Sequence, residues 1–448
     1  MKFGGTSVAD AEAISRMINI VESKLDKNPI IVVSAMAKVT DLLYQIADAA
    51  EQKDEATARA LVSDLRNRHT TVINGLIPDG PEREKALEEV YRICHNLEVF
   101  VEAVCTLGEL TPRSKATIIS NGERLSSVVI CYAMRQRGIN VGFSDARKMI
   151  IVTGDKLKGE PDMEAIQELV PKKIALRTDA GYPVVITQGF IATTPEGDAA
   201  VLGRGGSDYT ASLIGMAMNA ETIEIWTDVD GVKTADPRRV ANTHSIERIA
   251  FEEAAEMAHF GAKVLHPLTI APAVEKNIPV KVLNSMNPTS PGTIILQSDQ
   301  IEEGAKSISF KEKILMLNIF SPKMIDVSGF LQRVFQIFAK HNVSVDLIST
   351  SEANISITMD AGQDLTQVVE ELSEFAEVRV FDDKSQVSII GKNVANQRGL
   401  LRWALASLNN VTVYMISQGA SSVNISFVVD RENLDEVLQE MHNILFEY

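Results

Sequence analysis

The chain begins with Met1-Lys2-Phe3-Gly4-Gly5-Thr6-Ser7-Val8. This octapeptide predicts the end of a β-strand followed by a phosphate-binding loop. Glycines let phosphate oxygens approach backbone N–H groups, and the N-terminus of a following helix adds partial positive charge. Lys2 would add a full positive charge beside them. The stretch is not a Walker A loop, because there the lysine follows the glycines. A Gly-Gly pair alone is more often a plain turn, so both interpretations stay open at this point.

The composition is that of an acidic globular protein. Its 448 residues include 44 Lys and Arg against 60 Asp and Glu, which gives a formal net charge of −16. This charge argues against nucleic acid or a membrane surface as a general partner. Cys94, Cys105 and Cys131 are too few and too scattered for a disulfide framework or a zinc site. No apolar run reaches the roughly 18 residues of a membrane span, and no signal pattern is present, so we expect a soluble cytoplasmic protein.

Short apolar runs alternate with helical stretches through the first 300 residues or so. Pro29–Ser34, Tyr182–Thr187 and Thr222–Thr227 are typical of buried parallel strands. They predict an open α/β sheet, whose ligands bind at the carboxyl ends of the strands. Residues 41–110 are rich in Ala, Glu, Leu and Arg and predict a helical insertion.

The last third of the chain is an internal repeat. Residues 284–293 are dense in turn formers and are interpreted as a linker. Beyond them, Gly329-Phe330-Leu331 matches Gly399-Leu400-Leu401, and Asn354-Ile355-Ser356-Ile357 matches Asn424-Ile425-Ser426-Phe427. Each copy predicts a small strand–helix–strand–strand unit, and the pair predicts an α+β module.

Four further clusters follow predicted strand ends, and each has a plain alternative. Glu123 follows a predicted glycine turn at Gly122 and could be an ordinary first-turn helix residue. Residues Arg204 to Asp208 could be a loop with an N-cap, and Lys263 could be a solvated lysine. Asp228 and Asp230 hint at a calcium loop, but the third acidic position and the distal glutamate are missing.

Together these motifs resemble those of aspartate kinases in the amino-acid-kinase family, and the resemblance runs along essentially the whole chain. It is carried by Lys2–Val8, Val33–Thr40, Gly122-Glu123, Gln188–Phe190, Gly203–Asp208, Trp226–Gly231 and Phe260–Pro267. The duplicated tail resembles the paired ACT domains that sense amino acids in this family. The resemblance implies an amino-acid-kinase-type open α/β sheet sandwiched by helices at 1–297. Two α+β ferredoxin-like ACT domains would follow at 310–383 and 384–448, and their strands could interleave.

The family reaction transfers the γ-phosphoryl group of ATP to the β-carboxylate of L-aspartate, giving 4-phospho-L-aspartate, the first step towards lysine, threonine and methionine. A carboxylate is already ionised at pH 7, so the reaction needs no general base. The protein has to hold two anions together and neutralise the transferring charge. Mg²⁺ is expected to bind mainly through phosphates, and no protein metal ligand is predicted.

The resemblance also implies roles for individual residues. Lys2 and Asp208 would be catalytic. Aspartate would be bound by Thr40, Glu123, Phe190, Arg204 and Ser207, with Arg204 and Ser207 on its α-carboxylate and Glu123 on its ammonium. The nucleotide would contact Lys2, Gly4, Gly5, Ser7, Ser34, Thr227, Asp228, Lys233, Arg238, Lys263 and Val264. Two departures stand out: Lys233 replaces a common aromatic residue, and almost no strand precedes Lys2.

The first repeat resembles the effector site of lysine-inhibited relatives. The matching residues are Met324, Gly329, Phe330, Leu331, Asp346, Thr350 and Ser351. Asp346 could pair with an effector ammonium, or it could be a simple strand-end charge. Val327 replaces a hydroxyl residue of some lysine-responsive members, so threonine is the alternative effector. Lysine inhibition through a homodimer or tetramer of ACT domains is the prediction.

Two rival functions remain open at this point. The first is a kinase of the same fold acting on glutamate, acetylglutamate or UMP, although such relatives generally lack the duplicated tail. The second is a non-catalytic amino-acid sensor, which the intact Lys2, Glu123, Arg204 and Asp208 disfavour. The chain to Tyr448 leaves no room for a fused homoserine dehydrogenase, so a monofunctional enzyme is expected.

Overall fold

The computed structural model describes residues 1–261, 267–325 and 328–447. Contacts divide the chain into two units. The first unit comprises Met1–Val232 and Leu265–Gln297, and the second comprises Lys233–Val264 and Ser298–Tyr448. Residues 233–261, which lie inside the predicted catalytic range of 1–297, thus belong to the second unit by their contacts.

The described helices differ widely in length, and none of them is both long and apolar enough to cross a membrane. They are α1 (Ala11–Glu22), α2 (Val39–Glu51), α3 (Glu55–Leu76), α4 (Pro81–Leu107), α5 (Pro112–Ile119), α6 (Asn121–Gln136), α7 (Met163–Thr178), α8 (Gly206–Ala217), α9 (Phe251–His259), α10 (Pro267–Glu275), α11 (Phe330–Lys340), α12 (Thr366–Ser373), α13 (Leu400–Ala406) and α14 (Leu434–Phe446).

The strands are short in the first unit and include two long ones in the second. They are β1 (Lys2–Phe3), β2 (Ile30–Val33), β3 (Val141–Phe143), β4 (Val152–Thr153), β5 (Glu160–Pro161), β6 (Val184–Gln188), β7 (Ile191–Thr193), β8 (Ala199–Val201), β9 (Ile223–Thr227), β10 (Arg248–Ala250), β11 (Val280–Asn284), β12 (Thr293–Leu296), β13 (Gly304–Phe320), β14 (Ile348–Thr350), β15 (Asn354–Asp360), β16 (Glu377–Lys392), β17 (Val413–Gln418) and β18 (Asn424–Asp430).

The first unit is built on a mostly parallel sheet. Its strands follow the order β12-β11-β9-β1-β2-β6-β3, and only β12 among them runs antiparallel to its neighbour. The three apolar runs seen in the sequence form β2, β6 and β9. β6 is buried along its whole length, as expected of a parallel strand covered on both faces. Helices α6 and α8 pack on these strands, and the expected α/β fold class is confirmed.

The segment predicted as a helical insertion contains α2, α3 and α4. Asp54 caps α3 by accepting a hydrogen bond from the Thr57 backbone at 3.0 Å, and Pro81 stands at the first position of α4. The apolar faces of these helices join the core formed around β1 and β2. Cys94 and Cys105 of α4 are free and buried, as is Cys131 of α6.

The interpretation of residues 284–293 as a linker is wrong. These residues connect β11 to β12, which pair antiparallel in the first sheet, with Val280 opposite Ile295. The turn formers mark a chain reversal inside the sheet. Composition does not separate the two cases, because a hairpin connection and an interdomain linker favour the same residues.

The second unit is an antiparallel α+β module. Its sheet has the order β14-β15-β13-β16-β18-β17. β13 and β16 pair from Gly304–Lys392 to Phe320–Glu377, so both strands run through both copies of the repeat. Leu317 of β13 lies in the core of the first copy, whereas Ile308 of the same strand lies in the core of the second. The two copies therefore share their central strands.

Candidate functional site

The carboxyl ends of the central parallel strands lie in register. Phe3, the last residue of β1, pairs with Val33 at the end of β2 and with Trp226 near the end of β9. Val33 in turn pairs with Gln188, the last residue of β6. The loops that follow these strands therefore leave the sheet at one edge, where parallel sheets bind their ligands. The loops carry most of the candidate residues of the first unit.

Lys2 and Asp208 form an ion pair at this edge. The Nζ atom of Lys2 lies 2.6 Å from Oδ1 of Asp208, and the lysine is only 8% exposed. Asp208 is the third residue of α8, so it lies in the first turn, where the helix dipole stabilises a carboxylate. Its side chain does not cap the helix, because the N-cap position is Gly205. The pair holds one ammonium in a defined place at the end of β1.

The glycine loop packs closely against its neighbours. A Cβ atom on Gly4 would lie 3.5 Å from the Lys2 ammonium nitrogen, and one on Gly5 would lie 3.1 Å from the carbonyl oxygen of Ala35. The glycines therefore keep the space above Lys2 open and let the loop lie against the segment that follows β2. Both effects suit an anion-binding loop, and the second is also a packing requirement.

Ser7 is fixed by a partner that sequence reasoning missed. Its Oγ lies 2.7 Å from Oγ of Ser285, and Ser285 in turn donates to the carbonyl oxygen of Thr227 at 3.0 Å. Ser285 was not predicted as a site residue, because residues 284–293 were interpreted as a linker. A serine in a turn-rich stretch carries no signal of its own.

Glu123 lies in a buried position at the start of α6. It occupies the first turn of α6, is 3% exposed, and accepts a hydrogen bond at Oε1 from the backbone N–H of Ala35 at 3.0 Å. Its other oxygen, Oε2, has no partner among the described residues. Burial raises the pKa of Glu123 to about 8. A buried acceptor of this kind is a ready partner for a cationic group.

The glycine before Glu123 does not make the turn that its sequence predicts. Gly122 belongs to α6, and a Cβ atom there would lie 2.7 Å from Cβ of Ala35. The missing side chain lets α6 approach the segment after β2. The Ser126 hydroxyl reinforces this contact by donating to the carbonyl oxygen of Ser34 at 2.7 Å.

The other predicted aspartate-binding residues lie on nearby loops and helix starts. Phe190 has φ +64° and donates its backbone N–H to Oγ1 of Thr210 at 3.0 Å, which ties the loop after β6 to α8. Ser207 is the second residue of α8 and is half-buried, as is Thr40 at the second position of α2. Arg204 is exposed and has neither an ion pair nor a hydrogen bond with any residue that the structure describes.

The predicted nucleotide residues are spread over both units. Thr227 ends β9 and Asp228 follows it, and the Thr227 hydroxyl donates to Asp228 Oδ1 at 3.2 Å. Lys233 and Arg238 belong to the second unit, where Arg238 binds both carboxylate oxygens of Asp236 through Nε and Nη2. Lys263 and Val264 lie outside the described residues. The nucleotide assignments therefore stay predictions.

The predicted effector residues surround the start of α11 and the strand β14. They are Met324, Gly329, Phe330, Leu331, Asp346, Thr350 and Ser351. Phe330 packs edge-on against Phe375 with 5.5 Å between ring centroids. The carboxylate of Asp346 is paired with Lys311, whose Nζ lies 2.7 Å from Oδ2. Val327 lies outside the described residues, and the effector assignment stays a prediction.

No group of three His, Cys, Asp or Glu side chains within the described ranges could hold a metal ion.

A family model described as the amino acid kinase family matches residues 1–284. The chain belongs to the amino acid kinase family. A second model, described as the ACT domain, matches residues 317–374 and 387–445, one match for each copy of the repeat. The resemblance on which the sequence interpretation was based is therefore confirmed.

Relatives of this kinase family match the chain from end to end. The lysine-sensitive aspartokinase 3 of Escherichia coli is 37% identical over 455 residues, covering 100% of this chain and 98% of that protein. The chloroplastic aspartokinase 3 of Arabidopsis thaliana is 36% identical, covering 100% and 81%. Two crystal structures of E. coli aspartokinase III are also similar. One, with aspartate and ADP, has a TM-score of 0.83 at 35% identity and 99% coverage of both chains. The other, with lysine and aspartate, has a TM-score of 0.82 at 36% identity, covering 99% and 98%.

Proposed function

We propose that the protein is an aspartate kinase, which transfers the γ-phosphoryl group of ATP to the β-carboxylate of L-aspartate and forms 4-phospho-L-aspartate and ADP. The observation that carries this proposal is the buried Glu123 carboxylate, one oxygen of which has no partner in the described part of the chain. It lies on the strand-end edge that also carries the Lys2–Asp208 pair. The edge thus offers an acceptor for a substrate ammonium and a fixed cation for a phosphoryl group. Full-length similarity to aspartokinases supports the same substrate pair.

Lys2 acts on the phosphoryl group. In phosphoryl transfer, negative charge spreads over the equatorial oxygens of the transferred group, and catalysis consists largely of positioning and neutralising that charge. Lys2 is already held by Asp208 and by its place in β1, so little reorganisation is needed when ATP binds. A preorganised donor of this type contributes about 3–4 kcal/mol to transition-state stabilisation. The β-carboxylate of aspartate is ionised at neutral pH and attacks without a general base.

Two charges select aspartate as the acceptor. The Glu123 oxygen that lacks a partner among the described residues accepts a hydrogen bond from the substrate ammonium. The exposed guanidinium of Arg204 binds the α-carboxylate with its two-pronged geometry. A dicarboxylic acid without the amino group would leave Glu123 unsatisfied and would bind weakly. Ser207, Thr40 and Phe190 complete the aspartate-binding residues in this proposal.

Mg²⁺ enters with ATP in this proposal. The ion would keep several waters and bind chiefly to phosphate oxygens. When bound there, the ion neutralises phosphate charge. Lys2 and the glycine loop then orient the terminal phosphate.

Feedback inhibition by lysine through the ACT domains forms the regulatory part of the proposal, with threonine as the alternative effector. A similar E. coli structure contains lysine and aspartate together. We further propose a homodimer or tetramer joined through the ACT domains, acting in the cytoplasm where ATP and aspartate are available.

Aspartate-dependent release of ADP by the purified chain tests the function. Lys2→Met should lower kcat by at least about 100-fold, because the fixed cation is lost in the transition state. Lys24→Met is the matched control, since Lys24 forms an ion pair of the same length, 2.6 Å, with Glu224 at the other end of β9. ADP release that requires glutamate, acetylglutamate or UMP, or that is absent with every acceptor, would contradict the proposal.

A further inference from the structure

Lys311 lies in a run of three charged residues in the middle of a long strand. The run Lys311-Glu312-Lys313 sits in the middle of β13, where the register between β13 and β16 shifts. The Lys311 ammonium reaches two carboxylates of the first repeat, Asp346 Oδ2 at 2.7 Å and Asp360 Oδ1 at 2.9 Å. Its side chain is only 12% exposed. Although burial lowers the pKa of Lys311, its hydrogen bonds to Asp346 and Asp360 raise it overall, so the ammonium is firmly charged.

This pairing changes what Asp346 offers to a ligand. The Asp346 side chain is 8% exposed, its Oδ2 is held by Lys311, and its Oδ1 lies 3.7 Å from Nε2 of His259. A ligand ammonium that approaches this carboxylate meets a site that is already neutralised. Two ammonium groups on one nearly buried carboxylate would repel each other. An amino-acid effector can therefore use Asp346 only if Lys311 moves away from it.

Asp360 gives Lys311 a place to move to. This residue ends β15, its side chain is 66% exposed, and it already lies 2.9 Å from the ammonium. Lys311 can release Asp346 and keep Asp360 without becoming an unpaired charge in a buried position.

The second repeat has an analogous buried lysine, but an aromatic ring replaces one of the two carboxylates. Lys384 of β16 lies 2.7 Å from Asp430, which is the counterpart of Asp360 in the repeat. Its ammonium also lies 4.2 Å from the ring of Tyr414, the residue that stands where the first repeat has Asp346. An internal lysine thus occupies both copies, but only in the first does it cover a carboxylate predicted to bind an effector.

We propose that Lys311 is an internal competitor for the ammonium group of an amino-acid effector at Asp346, and that it sets the effector concentration at which the protein responds. The inference rests on the proposed function for the identity of the effector class. Lys311 is thus a residue that determines effector affinity, and it is not one of the residues proposed to bind aspartate or ATP.

Two substitutions should shift effector affinity in opposite directions. Lys311→Met removes the competitor and leaves Asp346 in need of a cation, so L-lysine should bind about tenfold more tightly. Asp360→Asn removes the carboxylate that receives the displaced lysine. In the effector-bound state Lys311 then lacks both carboxylates with which it pairs among the described residues, whereas in the free state it keeps Asp346. L-lysine should therefore bind at least about threefold more weakly. Lys340→Met is the control, because it breaks the exposed Lys340–Glu371 pair of the same repeat.

The measurement is calorimetric titration of the full-length chain with L-lysine, without substrates, beside inhibition of aspartate-dependent ADP release. Unchanged or weaker binding of L-lysine to Lys311→Met would overturn the proposal, as would tighter binding to Asp360→Asn. If Lys311→Met does not fold alone, the exposed Asp360→Asn variant decides the outcome. If the chain fails to phosphorylate aspartate, the proposed function is contradicted. The proposal for Lys311 is still tested, because the calorimetric titration does not depend on activity.

Discussion

At the scale of single residues, Glu123 shows how burial prepares an acid for binding a cation. Its pKa is raised to about 8 by burial, so at pH 7 the free protein carries mostly the protonated form. A substrate ammonium favours the ionised form. Binding of aspartate therefore releases a proton, and the affinity for aspartate should increase as pH rises from 6 to about 8 and then level off.

We expect Glu123→Gln to remove this pH dependence. The neutral amide cannot form the charge-assisted hydrogen bond, so KM for aspartate should rise by about tenfold or more. Initial rates of ADP release at pH values from 6 to 9 measure both effects. Glu253→Gln is a closely matched control, because Glu253 also accepts one backbone N–H, from Ala250, and also keeps one buried oxygen without a partner among the described residues. A persistent pH dependence in Glu123→Gln would assign the titration to another group.

The same residue predicts the sign of a stability change. Between pH 4.5 and 8 the unfolded chain has lost the Glu123 proton while the folded chain retains it. The folded state binds more protons in this window, so the free energy of unfolding contributed by Glu123 falls as pH rises through it. Glu123→Gln abolishes that contribution.

At the scale of elements, three buried strands of the first sheet were predictable from the sequence, whereas the role of Gly122 was not. β2, β6 and β9 were readable because short apolar runs ending in polar residues are typical of buried parallel strands. Gly122 was read as a turn, but it allows a helix to approach a loop. A single sequence does not separate these cases, because both require the absence of a side chain.

The candidate site was predicted only in part, because some of its contacts join residues that are far apart in the sequence. Lys2 and Asp208 were recognised from the resemblance, yet Ser285 reaches Ser7 only through the register of distant strands. Asp346 was predicted to bind an effector, whereas its partner Lys311 was not singled out, although the charged run Lys311-Glu312-Lys313 was visible in the sequence. The sharing of β13 and β16 between the repeats depends on pairing that no local pattern encodes.

Gly122→Ala tests the close approach of α6. The added Cβ would lie 2.7 Å from Cβ of Ala35 and 3.2 Å from Cδ1 of Leu43, so the free energy of unfolding should fall by about 1–3 kcal/mol. The next residue is Glu123, so KM for aspartate should rise as well. Urea denaturation and aspartate titration measure the two effects.

The control for this change is Gly75→Ala in α3. There the nearest atom to the new Cβ, that of Ala11, lies at an ordinary 3.5 Å, and a helical glycine replaced by alanine gains up to about 1 kcal/mol. Equal effects of the two substitutions would mean that α6 does not depend on this contact.

At the scale of the whole molecule, a segment that lies in the chain between two strands of the first unit belongs to the second unit. Residues 233–261 lie in the chain between β9 and β11, yet their contacts place them with the ACT repeats. The carbonyl oxygen of Thr234 accepts the backbone N–H of Ile308 at 2.7 Å, and Arg239 binds both Glu312 of β13 and Asp435 of α14. The same segment carries Lys233 and Arg238, which are predicted to bind the nucleotide. A substitution that disturbs the ACT repeats should therefore change the KM for ATP more than the KM for aspartate.

Thr234→Val tests this coupling. The buried Thr234 hydroxyl accepts the backbone N–H of His244 at 3.0 Å and lies 2.9 Å from Nε2 of His442. Burial lowers the pKa of His442, so the ring is neutral and its Nε2 can accept the hydroxyl proton. Valine leaves the buried N–H and ring nitrogen without this partner, which costs about 1–3 kcal/mol and loosens the segment.

The expected result of Thr234→Val is a rise of about threefold to tenfold in KM for ATP, with KM for aspartate unchanged. Thr366→Val provides the control within the same unit, since it removes only an exposed hydrogen bond to Asp364. Steady-state titrations of each substrate against saturating amounts of the other separate the two constants. A parallel rise in both would indicate general destabilisation. No change in either would show that the segment bound to the ACT repeats does not position the nucleotide.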